Sequence, residues 1–124
     1  MAASPTAPTA PPTAAVLLIG NELLSGKIRD QNGHNLAKMM RRRGIRLLEV
    51  CTVEDQLDAI GDALLRLLAR TPLLFTSGGV GPTHDDVTME AIARALGRPL
   101  QRDPAMEHLL RTHFGARITP AALK

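Results

Sequence analysis

Three short apolar runs, each followed by a polar loop and then by a helix-like pattern, most constrain what this chain can fold into. The first run, Val16 to Ile19, does not alternate and ends at Gly20, which is typical of a strand buried on both faces. The second run covers residues 45–53 and the third covers residues 73–77. We expect all three to be strands, with the third buried on both faces like the first.

Helical periodicity follows each apolar run. The first helical segment begins near Asn32 and ends at Gly44, and the second covers residues 54–70 and is ended by Pro72. A third segment covers residues 87–97. The inward-facing positions predicted for the first two segments are Leu36, Met39 and Met40, then Leu57, Ile60, Leu64, Leu67 and Leu68.

Strands that alternate with helices of this length indicate parallel strands joined by right-handed crossovers. We therefore predict one α/β domain, a three-layer α/β/α sandwich with a mostly parallel sheet. The domain is expected at residues 15–124, after a Pro/Ala/Thr-rich leader at residues 1–14 that is disordered and is not a secretory signal. Ligands of such sheets bind beyond the carboxyl ends of the strands, where three polar loops emerge.

Composition narrows the class of function. Aromatic residues make up 2% of the 124 residues, without Trp or Tyr, which counts against a stacking platform for single-stranded nucleic acid. The net charge of +3 is too small to indicate a nucleic-acid partner, and no apolar run approaches the ~18 residues of a membrane span. The one cysteine, Cys51, lies in an apolar run, so we expect a core residue and a cytoplasmic protein without a membrane partner.

The loop after the third run, SGGVGPTHDD at residues 77–86, is the first candidate site. No lysine lies between Gly78 and Glu90, so the loop is not a P-loop, and His84 replaces the third glycine of a dinucleotide fingerprint starting at Gly79. The three glycines still allow backbone N–H groups to approach an anion or a flat polar ring. A tight turn into the next helix is the alternative interpretation.

Acidic residues follow this loop closely. Asp85 and Asp86 come just before the next predicted helix, Glu90 lies in its first turn, and Thr88 is the expected N-cap. Capping accounts for one or two acids there but not for three beside a glycine loop, so we infer an additional role. Carboxylates beside a phosphate-sized pocket normally bring a divalent cation, usually Mg²⁺, as a bridge.

Two further acids follow the other strands. Glu22 comes just after the first strand and Asp55 just after the second, and parallel strands would bring both to the rim that carries the glycine loop. The alternative for Asp55 is a cap of the long helix, and the alternative for Glu22 is a solvated loop charge. Their shared placement favours a joint functional role.

The carboxy-terminal segment predicts one more helix. Asp103 is the expected N-cap and Pro104 the first helical residue. His108 and His113 are five positions apart and do not share a helix face, so we interpret them as surface histidines and not as metal ligands. The positions expected to face inward are Met106, Leu109, Leu110 and Phe114.

Two stretches taken together, IGNELLSGKIRDQN at residues 19–32 and TSGGVGPTHDDVTMEAIARALGRPL at residues 76–100, strongly resemble the molybdopterin-binding domain family. Within it they are similar to the CinA type, the amino-terminal domain of competence/damage-inducible protein A. The resemblance implies an α/β/α sandwich that forms homodimers or trimers. It also implies a domain that continues past residue 124, so we expect its carboxy-terminal part, like the separate CinA amidase domain, to be missing from this sequence.

In the branch of the family that handles molybdopterin, the glycine loop and the aspartate after it line the pterin and phosphate pocket. Carried over to this chain, the resemblance implies catalytic roles for Asp55 and Asp86. The ligand-binding residues expected within the matching motifs are Gly20, Glu22, Ser25, Ser77, Gly78, Gly79, Gly81, Pro82, Thr83 and Thr88.

Asp85 departs from that branch, in which an arginine usually precedes the aspartate. The change favours the CinA type, for which the resemblance implies metal-dependent hydrolysis of a pyrophosphate such as ADP-ribose or FAD, with Asp85, Asp86 and Glu90 as metal ligands. Three hypotheses follow. They are a domain that binds molybdopterin or a nucleotide phosphate, with Mg²⁺ or another divalent cation; a metal-dependent pyrophosphatase; and a non-catalytic oligomerising scaffold.

Overall fold

The computed structural model describes residues 10–123. The first nine residues of the predicted leader lie outside the described residues, and its last two, Thr13 and Ala14, already belong to the first strand. In chain order the elements are β1 (Thr13–Ile19), α1 (Asn21–Leu24), α2 (Asn32–Arg42), β2 (Arg46–Val53), α3 (Leu57–Leu68), β3 (Leu73–Ser77), α4 (Thr88–Ala95) and α5 (Pro104–Phe114), followed by the 3₁₀ turns Gly115–Arg117 and Pro120–Leu123.

The sheet has three parallel strands in the order β2-β1-β3. The central strand β1 is buried from Ala14 to Ile19, which explains why its sequence does not alternate. The crossover through α2 joins the neighbours β1 and β2, and the crossover through α3 joins β2 to β3 on the other side of β1, as expected for parallel strands. The predicted α/β fold with a parallel sheet is therefore confirmed.

Alternate residues of β1 enter two separate cores, one on each face of the sheet. Leu17 and Ile19 pack against α3 through Ile60 and Leu67, and α4 joins this face through Ala91. On the opposite face, Val16 and Leu18 pack against Met40 of α2. Successive side chains of a strand point to opposite faces of the sheet. Because β1 is covered on both faces, its side chains contribute to a core on each side.

A charged cluster joins β2 to α3 away from the carboxyl edge of the sheet. Glu49 of β2 accepts a hydrogen bond from Arg66 (2.8 Å) and also pairs with Arg70. The hydrogen bond from Glu49 raises the pKa of the Arg66 guanidinium. Arg66 also donates to the sulfur of Cys51 at 3.4 Å, and Cys51 is half-buried and packs against the core.

The third strand differs from its prediction. We expected β3 to be buried on both faces, but Leu73 and Phe75 are 38% and 39% exposed. Within the described residues, β3 lies at the edge of the sheet. Its register with β1 places Leu73 and Phe75 on the face of the sheet that carries α2. On that face, α2 covers β1 and β2 but not β3. Leu74, on the opposite face, does pack against the α3 core.

The predicted bounds of the helices agree with the structure better than the predictions of which side chains face inward. In α2, Met40 is buried but Met39 is 48% exposed. Asp103 caps α5 as predicted, accepting hydrogen bonds from the N–H groups of Ala105 and Met106. The inward face predicted for α5 is wrong, because no residue of this helix is buried and Leu109 is 62% exposed. None of the helices within residues 10–123 is long and apolar enough to cross a bilayer.

Candidate functional site

The glycine loop begins where β3 ends and turns sharply over the end of β1. Gly78 has φ +102° and Gly79 has φ +62°, a region of backbone conformation that favours glycine. A Cβ on Gly78 would lie 2.0 Å from the carbonyl oxygen of Ile19. Only glycine can therefore bring this loop so close to the central strand.

Thr88 fixes the glycine loop from below. Its hydroxyl donates to the carbonyl oxygen of Gly78 (2.9 Å), and its N–H donates to the carbonyl oxygen of Gly79 (3.2 Å). The side chain is fully buried. The predicted N-cap role is wrong, because Thr88 is the first residue of α4 and Val87 occupies the N-cap position.

Asp86 closes the second half of the loop. Its Oδ2 accepts hydrogen bonds from the N–H of Thr83 (2.9 Å) and from the Thr83 hydroxyl. A Cβ on Gly81 would lie 2.7 Å from the same oxygen, so Gly81 leaves the space that this carboxylate occupies. Pro82, between these residues, is exposed. Asp86 therefore shapes the loop, whatever further role it has.

The loops after β1 and β2 are joined by a reciprocal pair of hydrogen bonds. The N–H of Asn21 donates to Oδ2 of Asp55 (2.9 Å), and the N–H of Asp55 donates to Oδ1 of Asn21 (3.2 Å). Asp55 also faces the glycine loop, since its Oδ1 would lie 3.5 Å from a Cβ on Gly79. Asn21 was not among the predicted site residues, although its position directly after Gly20 marks the start of the loop that follows β1.

Glu22 and Ser25 belong to the short helix α1. A Cβ on Gly20 would lie 2.5 Å from Oε1 of Glu22, so the Glu22 carboxylate folds back over the Gly20 backbone. The Ser25 hydroxyl donates to the carbonyl oxygen of Glu22 at 3.3 Å. The glycine at position 20 is therefore explained by the packing of Glu22.

Two more polar residues, both missed from the sequence, hold the start of α2 against the glycine loop. Asp30 accepts hydrogen bonds from the N–H groups of Asn32 (2.9 Å) and Gly33 (3.1 Å). The Asn32 amide donates to the hydroxyl of Ser77 at 2.8 Å. An aspartate two residues before a helix start was the signal that could have identified this cap.

Three depressions meet along the glycine loop. The central cleft, about 510 Å³, is bordered by Glu22, Ser25, Lys27, Asp55, Gly79 and Asp86, with Asp85 at its rim. The α4-side cleft, about 430 Å³, is bordered by Gly81, Met89, Glu90, Leu100 and Arg102 and shares Gly79 and Asp86 with the central cleft. The α2-side cleft, about 380 Å³, is bordered by Ile28, Asn32, Ser77 and Gly78. Gly20, Pro82, Thr83 and Thr88 border none of the three.

The predicted metal ligands are not gathered around one point. Within residues 10–123, no group of three or more His, Cys, Asp or Glu side chains is placed to hold a metal ion. The Asp85 carboxylate pairs with Nε2 of His84 at 2.8 Å, and both side chains are largely exposed. Asp86 holds Thr83, and Glu90 borders only the α4-side cleft. This arrangement does not fit the divalent cation that was predicted from the sequence.

Backbone donors fit a phosphate group better. Among the described residues, no backbone carbonyl group accepts a hydrogen bond from the N–H groups of Gly79, Val80 or Gly81. Successive N–H groups in a loop with positive φ form an anion-binding concavity. Lys27 is the basic side chain at the central cleft, which several carboxylates and Gly79 also border. Val80 and Gly81 border the adjoining α4-side cleft, so the row of amide donors lies between the two clefts.

Comparison with known sequences gives consistent matches. A family profile described as "Probable molybdopterin binding domain" matches residues 15–123. A CinA-like protein of Desulfosudis oleivorans is 42% identical over 101 residues, which are 82% of this chain and 24% of that protein. A CinA-like protein of Thermomicrobium roseum is 45% identical over 104 residues, 84% of this chain and 26% of that protein. The chain therefore spans about a quarter of the length of these curated relatives.

Comparison with solved structures agrees. The crystal structure of CinA from Thermoplasma acidophilum, described as of unknown function, matches with a TM-score of 0.85 and 32% identity over 94% of this chain and 69% of that one. The molybdopterin biosynthesis enzyme MoaB from Thermus thermophilus matches with a TM-score of 0.64 and 22% identity, over 90% of this chain and 70% of that one. The second match shows likeness of fold alone.

Proposed function

The chain belongs to the molybdopterin-binding domain family, and on that premise we propose that it binds a pterin or a nucleotide through a phosphate group at the carboxyl edge of its sheet. The observation that carries this proposal is the glycine loop. Thr88 holds it through a hydrogen bond to the carbonyl oxygen of Gly78, and no backbone carbonyl group among the described residues accepts from the N–H groups of Gly79, Val80 and Gly81. Preorganised N–H groups of this kind bind phosphate oxygens without a cost of rearrangement.

The positively and negatively charged groups of the central cleft bind different parts of the ligand. The Lys27 ammonium group and the loop amides bind the phosphate. Glu22 and Asp55 are acceptors, and they suit the part of a ligand that is rich in N–H or O–H donors, such as the amino edge of a pterin or the hydroxyls of a ribose. A phosphate alone would be repelled by these carboxylates, so the ligand needs both parts.

A pterin is favoured by the comparisons. The family description names molybdopterin. Nucleotides also combine a phosphate group with hydroxyl donors, so they are the alternative class of ligand for this cleft.

Calorimetry with molybdopterin in the presence of EDTA tests the proposal. We expect Lys27→Met to weaken binding about tenfold, since a charged hydrogen bond to phosphate contributes roughly 1.5–3 kcal/mol before screening. Lys38→Met is the matched control, because Lys38 is an exposed lysine of α2 that borders none of the three clefts. Equal affinities of the two variants, or no binding of molybdopterin, ADP-ribose and FAD by the unmodified chain, would contradict the proposal.

A metal-dependent pyrophosphatase is the second candidate, because the carboxylates of Glu22, Asp55, Asp85 and Asp86 all border the central cleft. The described residues do not assemble a cation site, so no hydrolytic step is assigned to them. Incubation with ADP-ribose or FAD and Mg²⁺, Mn²⁺ or Co²⁺ tests this candidate through mononucleotide products. Absence of products with every metal would reject it.

A non-catalytic scaffold is the third candidate, favoured by the exposed apolar side chains of α5 and β3. Homo-oligomerisation stays a prediction, and sedimentation analysis measures it directly. An oligomer that binds neither molybdopterin nor the nucleotides would favour the scaffold over the two ligand-binding candidates.

A further inference from the structure

The second half of α2 and the start of β2 carry a basic patch, which consists of Lys38, Arg41, Arg42, Arg43 and Arg46. All five side chains are exposed, and positions 31–48 contain no Asp or Glu. Because five of the 15 Lys and Arg residues lie here, the rest of the chain has fewer basic residues than its 12 acidic ones. The positive charge of the chain is therefore concentrated on one surface.

The cations of the basic patch have no acidic partner within residues 10–123. The ion pairs found there use other arginines, such as Arg66, Arg70 and Arg111, and none uses a residue of the patch. Like charges gathered on one short surface repel one another. A negatively charged partner that binds there relieves this repulsion.

The dipole of α2 accounts for only part of the basic patch. Cations in the last turn of a helix are favoured by its dipole, and the effect does not reach far beyond that turn. Arg41 and Arg42 lie in the last turn, so the dipole explains their presence. Lys38 comes before this turn and Arg46 lies in β2, so these two cations need another explanation.

Two depressions within the basic patch have apolar groups beside the cations. The first, about 330 Å³, is bordered by Asn35, Lys38, Met39, Arg42 and Arg43, and Met39 is 48% exposed. The second, about 370 Å³, is bordered by Arg41 and Arg46 together with the apolar residues Pro11, Ala37, Ile45 and Leu47. Small apolar side chains of a partner can enter these depressions beside the guanidinium groups.

This combination favours an acidic protein segment over other polyanions. Guanidinium groups bind carboxylates through paired hydrogen bonds, and arginine clusters recognise acidic motifs in this way. A nucleic acid would be bound through its phosphates, which have no use for the apolar walls. A helix that binds membranes inserts its apolar face into the lipid, whereas the apolar face of α2 packs in the core through Leu36 and Met40.

We infer that the basic patch docks an acidic segment of a partner protein, in which carboxylates alternate with small apolar side chains. The carboxylates pair with the guanidinium groups, and the apolar side chains enter the two depressions. The patch lies at the far end of α2 from the glycine loop, since the hydrogen bond from Asn32 to Ser77 holds the start of α2 beside that loop. The partner can therefore bind while a ligand occupies the glycine loop.

Fluorescence anisotropy of the full chain with a labelled synthetic peptide tests the inference. The peptide alternates pairs of glutamates with single valines, and the matched peptide has serines in place of the valines. We expect the valine peptide to bind at least about fourfold more tightly, which is the usual effect of burying one methylene group. Added salt should weaken the binding of both peptides. Equal affinities of the two peptides, or no binding of either, would overturn the inference.

Paired variants locate the peptide on the basic patch. Arg42→Gln combined with Arg46→Gln removes one cation from each depression and should weaken peptide binding about tenfold, since one exposed ion pair contributes a factor of up to about five. The matched control combines Arg98→Gln with Arg117→Gln. Both are exposed arginines that border neither depression and have no ion pair among the described residues. Equal weakening by the two double variants would show that net charge alone attracts the peptide, and would overturn the inference.

The apolar contact and the competing polyanions are tested separately. Met39→Gln should weaken binding of the valine peptide and leave the serine peptide unchanged, and equal effects on both would contradict the apolar contact. A short DNA duplex and vesicles that contain phosphatidylserine are the alternative partners. If either binds more tightly than the valine peptide at the same salt concentration, and the Arg42 and Arg46 double variant weakens that binding, the inference of a protein partner is overturned.

Discussion

The hydroxyl of Thr88 donates a hydrogen bond to the carbonyl oxygen of Gly78 from a fully buried position beneath the glycine loop, at 2.9 Å. This contact connects the first residue of α4 to the residue at which the chain leaves β3. The loop that follows is therefore held from below by Thr88, and Gly78 lies against the carbonyl group of Ile19.

Thr88→Val should lower the free energy of unfolding by about 1–3 kcal/mol, because it leaves the carbonyl group of Gly78 without its donor at nearly unchanged side-chain volume. Urea unfolding measures the change. Thr112→Val is the control, since Thr112 also donates to a backbone carbonyl but is exposed on α5. A loss no larger than that of the control would show that the Thr88 contact does not fix the loop.

Gly79→Ala and Gly97→Ala separate backbone strain from steric overlap. Both glycines have φ +62°, so alanine should cost about 1–2 kcal/mol at either position. A Cβ on Gly79 would lie 2.4 Å from the Thr88 hydroxyl oxygen, whereas a Cβ on Gly97 meets nothing within 4 Å. We expect Gly79→Ala to destabilise by about 1–3 kcal/mol more in urea unfolding, and equal costs would contradict the packing described for the loop.

Asp55→Ala should destabilise by about 1–2 kcal/mol, since it removes the acceptor for the N–H of Asn21. Asp55→Asn keeps an oxygen at that position and should stay within about 1 kcal/mol of the unmodified chain. Asp62→Ala, at an exposed aspartate of α3, should change stability by less than about 0.5 kcal/mol. If chemical denaturation finds Asp55→Ala as mild as Asp62→Ala, the reciprocal pair does not hold the two loops together.

Leu109→Ser should change stability by less than about 0.5 kcal/mol, because Leu109 is 62% exposed on α5. Leu64→Ala should cost about 2–5 kcal/mol, since Leu64 is buried in the α3 core. Thermal and urea unfolding of the two variants make the comparison. A cost above about 2 kcal/mol for Leu109→Ser would mean that the apolar face of α5 is covered in solution.

The strands and helices could be predicted from the sequence because local signals specify them. The unalternating run of β1, the periodicity of α3 and the cap formed by Asp103 each depend on neighbours close in the chain. The residues that pack over a strand or helix cannot be predicted from such local signals. The run in β3 looks as buried as the run in β1, yet β3 lies at the edge of the described sheet and Phe75 is exposed.

The convergence of the three loops at one edge of the sheet was predicted from the sequence, but the contacts between them were not. Alternating strands and helices place the loops after β1, β2 and β3 at one edge, and that part follows from topology. The partners of Asp86 and Asp55 do not, because Thr83 is held by a local turn and Asn21 lies 34 positions away in the chain. A long-range pair such as Asp55 with Asn21 leaves no spacing pattern, so Asp55 was predicted only as a catalytic residue. The metal-ligand role predicted for Asp86 did not take account of its local contact with Thr83.

The amide resonances of the glycine loop test the central claim most directly. In ¹⁵N-resolved NMR spectra recorded in EDTA, titration with AMP should shift the N–H signals of Gly79, Val80 and Gly81 as they begin to donate to phosphate oxygens. The signals of Gly44 and Gly97, which border none of the three clefts, should stay unchanged. Loop signals that remain fixed at a saturating ligand concentration, while other residues of the chain respond, would contradict a phosphate site at this loop.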